Sequence, residues 1–154
     1  MSTVTVSNGQ TYNVSSGQTD IGDTVDYGGT LSVLSGGITS GTVVNYLGQE
    51  LVQQGGIASV TVVTDGSAEY DFGTASGTIV SGGDQYVYGA ADDTVIDSGG
   101  AQFVYGTANA TSVNSAGDQF VYGIANNTTL NSGGAELVYG MPKTRPSTAA
   151  AYSR

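Results

Sequence analysis

The chain has 154 residues and a formal charge of −10, with Lys143, Arg145 and Arg154 its only cations and no His or Cys. The region before Lys143 thus has no positive charge to neutralise phosphates, which excludes nucleic-acid binding there and disfavours anionic membrane surfaces; disulfide and thiolate chemistry are excluded outright. With 25 Gly and 2 Pro amid abundant Ser, Thr, Val and Asn, the composition favours short strands and tight turns, and no window is apolar for long enough to span a membrane.

Residues 1–7 alternate Thr and Val (Thr3-Val4-Thr5-Val6), a strand-like lead-in able to cap the first coil. This opening lacks both the basic and the apolar regions of a Sec-type signal peptide. Three units of 19 residues come next, Asn8–Asp26, Tyr27–Asn45 and Tyr46–Thr64, and then a shorter one at about Asp65–Val80. From Ser81 the text nearly repeats itself. Val-Tyr-Gly begins at Val87, Val104, Val121 and Val138, a step of 17 residues. A step that regular marks one supersecondary unit stacked on copies of itself. After Gly140 the pattern breaks into a tail, residues 141–154, with both prolines and all the cations, which is expected to be disordered. Such an ending suggests a truncated or fragmentary gene product.

Each unit contains two strand-like pieces. The first ends in a column of Val14, Val33, Val52, Val87, Val104, Val121 and Val138, with Asp71 the sole exception. The second ends in Val25, Val44, Val63, Val80, Ile96, Val113 and Leu130. Columns that stay apolar while their neighbours vary are natural inward stacks, each side chain contributing on the order of 1.5–3 kcal/mol before entropy. A Thr column (Thr42, Thr61, Thr78, Thr94, Thr111, Thr128) precedes the second by two residues and shares its face. The predicted fold is all-β: a parallel β-helix, or β-solenoid, of about eight coils of 16–19 residues over residues 8–140. Right-handed winding is the general expectation for such folds.

In coils five to eight the residues on both sides of the Val column are also apolar, as in Tyr86 and Tyr88, Phe103 and Tyr105, Phe120 and Tyr122, Leu137 and Tyr139. Either Val faces inward together with Gln85, Gln102, Gln119 and Glu136, leaving an aromatic strip outside, or the reverse holds. The earlier coils, with Leu31 and Val33 set against Ser32 and Leu34, favour Val inward.

The Gly-Gly-x-Gln-x-Val, Gly-x-Ala and Thr-x-Val elements make the repeat resemble the AIDA-type repeat of bacterial autotransporter adhesin passenger domains. The resemblance covers residues 8–140; the first units match that family's spacing and the 17-residue units depart from it. The opening Met1–Gln18 is also similar to the repeat region preceding Hedgehog/intein-type domains in some bacterial surface proteins. The resemblance implies a cell-surface or secreted β-helical stalk, often adhesive and sometimes O-glycosylated on Ser or Thr. Neither a membrane barrel nor an autoprocessing domain is visible in the chain.

Some parallel β-helices are polysaccharide lyases or hydrolases. The candidate acids Asp84, Asp118, Asp92, Asp93 and Asp97 are expected at turns or outer faces, one or two per coil, with no basic residue to take a proton and no convergent pair. No catalytic residue, cofactor or metal ligand is therefore assigned, and Gly82-Gly-Asp-Gln-Tyr-Val lacks the spacing of a repeat-borne calcium loop. The Thr column lies with the core, which argues against an ice-binding array. The candidate binding strip is Tyr86, Tyr88, Phe103, Tyr105, Phe120, Tyr122 and Tyr139, with surface glycans or further copies of the chain as candidate partners. The expected function is non-enzymatic adhesion or self-association. The alternatives are a secreted carbohydrate-active or carbohydrate-binding β-helix and a remnant without independent function.

Overall fold

A computed structural model of the chain describes residues 3–139; the 141–154 tail lies outside the described residues. Among them every element is a short strand, and all of the strand pairings are parallel, in three sheets with orderly succession from coil to coil. Sheet one stacks eight strands from Thr5–Val6 through Thr24–Val25 to Thr129–Leu130. Sheet two stacks eight from Thr11–Val14 to Ala135–Val138, and sheet three stacks seven from Thr19–Ile21 to Ile124–Asn126. One strand from each sheet makes a coil, and rungs follow at about 4.8 Å. The chain is a β-solenoid of about eight coils. Thr5–Val6 is already part of it, pairing with Thr24–Val25.

The sequence suggests two strands per coil, and the structure has three. The additional strand is only three residues long, as in Ile57–Ser59 or Thr107–Asn109, and buries a single side chain. That inward column runs Asp20, Thr39, Ala58, Ala75, Ala91 and Ala108, all buried. From coil three onward it is Ala alone.

Both predicted apolar columns face inward. Val14 to Val121 and Val25 to Val113 are buried, and the Thr column from Thr42 to Thr111 is buried beside them. Val138, on the last described rung, is exposed, since no coil covers it among the described residues. The ambiguous face of coils five to eight resolves as the earlier coils suggest, with Gln85, Gln102 and Gln119 buried next to Val.

The corner from sheet three to sheet one has the same form in every coil. Its first residue is left-handed throughout: Gly22, Gly41, Val60, Gly77, Asp93, Ala110 and Asn127. Val60, at φ 57°, is the strained member, because a β-branched side chain crowds its own backbone there.

The corner from sheet two to sheet three explains the change of period. In coils one to three it spans four residues, Ser15–Gln18, Leu34–Gly37 and Gln53–Gly56; from coil four onward it spans two, beginning with Phe72-Gly73 and Tyr88-Gly89. In the short form two successive amides converge on one carbonyl of the coil below, Tyr105 N and Gly106 N both donating to Val87 O at 2.8 Å. The backbone is then so close to its neighbour that a Cβ at Gly106 would collide with the Gly89 and Tyr88 carbonyl oxygens. Glycine is required here by space, and the residue before it must point out.

Candidate functional site: an outward aromatic double ladder over a polar core

The short corner builds the outer ladder. Each coil from four to seven carries one ring immediately before its corner Gly, at Phe72, Tyr88, Tyr105 and Tyr122; Tyr139 continues the column in coil eight, and register stacks the five at centroid spacings of 4.7, 5.0, 5.1 and 4.9 Å. Two residues earlier, on the same outward face, Tyr70, Tyr86, Phe103 and Phe120 stack at 4.9, 4.9 and 5.0 Å. Interplanar angles of 5–10° mark both as offset parallel stacks. Tyr88, Tyr105 and Tyr122 are 45% exposed, whereas Tyr86, Phe103 and Phe120 are half-buried between their neighbours.

The structure thus brings together all seven residues of the sequence-derived strip and adds Tyr70 and Phe72 below them. Ring faces are occupied by the adjacent rings, so the surface presented to solvent consists of ring edges and phenol hydroxyls. The Tyr86 hydroxyl donates to Asp84 at 3.3 Å. Burial, followed by the negative charge of Asp84, pushes this phenol up to about 12, so it stays neutral.

The acids considered for catalysis do not converge. Asp84 and Asp118 occupy one outward column two coils apart, alternating with Ala101 and Ala135. Asp93 is exposed at a left-handed corner. Asp92 and Asp97 each accept from an Asn one coil above: Asn109 at 2.7 Å and Asn114 at 2.6 Å. Asn126 then donates to Asn109 at 2.9 Å and Asn131 to Asn114 at 2.6 Å, giving two external amide ladders. Among the described residues no group of three or more carboxylates is arranged to hold a metal ion.

Turns and outer faces do not hold all of the acids, however. Glu50, Glu69 and Asp23, which nothing in the sequence singles out, and Asp71, the exception in the Val column, are fully buried. Glu50 and Glu69 occupy the inward column that continues as Gln85, Gln102 and Gln119. Gln102 donates to Gln85 at 2.8 Å and Gln119 to Gln102 at 2.7 Å, while Thr94, Thr111 and Thr128 donate to the amide oxygens of Gln85, Gln102 and Gln119 at 3.2, 3.3 and 3.0 Å. This buried ladder satisfies its polar atoms rung by rung and fixes the register that aligns the rings outside.

The fold and this site define the chain as a three-sheet parallel β-solenoid repeat protein with an aromatic outer face. Among solved structures it is similar to a TibC-catalysed, hyperglycosylated fragment of TibA, residues 55–350, at 23% identity and a TM-score of 0.46, covering 88% of this chain and 91% of that one. No family model matches the chain, and no curated protein matches it.

Proposed function

We propose that the protein is a non-enzymatic, surface-displayed or secreted β-solenoid module that acts in adhesion or self-association through its aromatic double ladder. The observation that carries this reading is the confinement of nine stacked rings to one outward face of coils four to eight. Exposed apolar stripes of this kind mark interaction surfaces. With ring faces already taken, a partner meets edges and hydroxyls along the axis, which suits long, shallow contact with a glycan coat or a second solenoid. On the same outward face of sheet two, coils one to three carry Thr11, Asn13, Thr30 and Gln49 and no ring.

The test is the double variant Tyr105→Ser with Tyr122→Ser. Cell adhesion, and sedimentation of the purified protein, should both fall towards a non-adhesive monomer with the far-ultraviolet circular dichroism unchanged. Undiminished adhesion and association in a folded variant would remove the ladder from function.

A further inference from the structure

The core between coils three and five holds three carboxylates that a surface function does not use. Glu50 and Glu69 are register partners on adjacent rungs, and Asp71 follows Glu69 by two residues on the same inward face. Gln85 faces them from the next strand of sheet two, Thr42, Thr61, Thr78 and the more distant Asp23 from the corners that lead into sheet one, and Thr39, Ala58 and Ala75 from sheet three. No Lys, Arg or His occurs before Lys143. The carboxylates have no buried counter-charge among the described residues.

Their hydrogen bonds differ. Glu50 accepts from three hydroxyls, Thr39 at 2.8 Å, Thr61 at 2.8 Å and Thr42 at 3.3 Å, which offset part of the burial that raises its carboxyl. Glu69 and Asp71 share the Gln85 amide, which reaches Glu69 Oε2 and Asp71 Oδ2 at 2.9 Å each. Their other oxygens, Glu69 Oε1 and Asp71 Oδ1, are buried without a partner, and so is the Thr78 hydroxyl beside Glu69. Bare buried carboxylate oxygens are costly, and a proton on each removes the charge.

We propose that Glu69 and Asp71 are folded in as neutral acids, so that the solenoid takes up protons as it folds and coils three to five form a pH-sensitive latch that loosens in alkaline medium. Burial, reinforced by the charge of Glu50, raises Glu69 to about 8, and burial with the charges of Glu69 and Glu50 raises Asp71 well above the carboxylate range. A folded-state value raised in this way gives stability that is complete below the unfolded value, about 4.5 for Glu, and is lost as the pH climbs through about 8. The window from about pH 6 to 9 is otherwise nearly silent. The chain has neither His nor Cys, and only the α-amino group ordinarily titrates there.

The experiment is thermal and denaturant unfolding from about pH 5 to pH 9 of the wild type, of Glu69→Gln with Asp71→Val, and of Asp84→Asn as a charge-removing surface control. The double variant copies coil five, where Gln85 and Val87 stand at the same positions. The wild-type folding constant should fall roughly several hundredfold across the range for Glu69 alone. The double variant should lose most of that slope, the remainder belonging to Glu50 and Asp23, and Asp84→Asn should keep the wild-type slope. A carboxylic-acid carbonyl band should appear in the infrared spectrum of the wild type at neutral pH and vanish in the double variant. A flat wild-type profile, an unaltered slope in the double variant, or the absence of that band would overturn the proposal. So would stabilisation at about pH 8 by calcium or magnesium that a chelator reverses, since a cation would then occupy the place given to the protons. Should the double variant not fold, Glu69→Gln alone tests the same slope. None of these outcomes depends on what the aromatic face binds.

Discussion

Coils one to three and coils five to eight share three sheets, the same apolar columns and the same left-handed corner, yet they solve the rest of the problem differently. The first group has four-residue corners and a mixed inward column, Tyr12, Leu31, then Glu50. The second has two-residue corners in coils five to seven, a run of Gln85, Gln102 and Gln119 that ends on Glu136, and an aromatic face. Among the described residues, buried side-chain atoms without partners collect outside the uniform run, at Asp20, Asp23, Glu69, Asp71 and Thr78, and none belongs to Gln85, Gln102 or Gln119. A polar core column is therefore well tolerated in a solenoid when successive rungs carry the same group. It becomes strained where the identity of the rung changes, and coil four is that junction.

The sharpest way to break the second group is its corner. Gly106→Ala should cost about 3 kcal/mol, since the methyl meets backbone oxygens that cannot move independently. Gly17→Ala, in the roomy corner of coil one, has nothing within 4 Å and should cost only about 1 kcal/mol for its φ of 79°. Denaturant unfolding of the two variants gives both values, and equal costs would refute the distinction. Gln102→Leu comes next. It keeps the volume but strips Gln119 and Thr111 of their acceptor, and should destabilise by about 2 kcal/mol in the same assay. Leu31 occupies that very column in coil two, where it packs in an apolar cluster with Val14, Val25 and Val44. The smallest effect has the opposite sign: Val60→Gly relieves an exposed left-handed valine and should raise stability by about 1 kcal/mol, read as an increase in Tm.

Much of this architecture is legible in the sequence because a fixed step turns chemistry into columns. Val87, Val104 and Val121 announce the strand, Leu31 and Val33 in the earlier coils tip its Val face inward, and the rings beside the Val column announce the strip. The third strand is hidden for a physical reason. With one inward side chain per strand, usually Ala, it shows neither a period of two nor any hydrophobic contrast. Glu50 and Glu69 do not stand out because acids belong on surfaces by default. The signal that would place them is their alignment with Gln85 once the 16-residue step from Glu69 is allowed for. Tyr70 and Phe72 are obscured for a related reason, since Asp71 interrupts the Val column between them. Which atoms lack partners is not legible at all, because that depends on distances between coils rather than on the order of residues.

Each amide ladder starts on an acid and climbs towards the C-terminus: Asp26 to Asn45, Asp92 to Asn109 and Asn126, Asp97 to Asn114 and Asn131, Glu69 and Asp71 to Gln85, Gln102 and Gln119. An amide can be turned over, exchanging donor for acceptor, whereas the acid oxygens at these bonds serve as acceptors. The acid at the foot thus decides which way every amide above it points. If Asp97 were an Asn, its ladder could run upward or downward with similar energy, and two arrangements would coexist where there is now one. The acids act as the molecule's orientation marks, each setting a whole row from a single position.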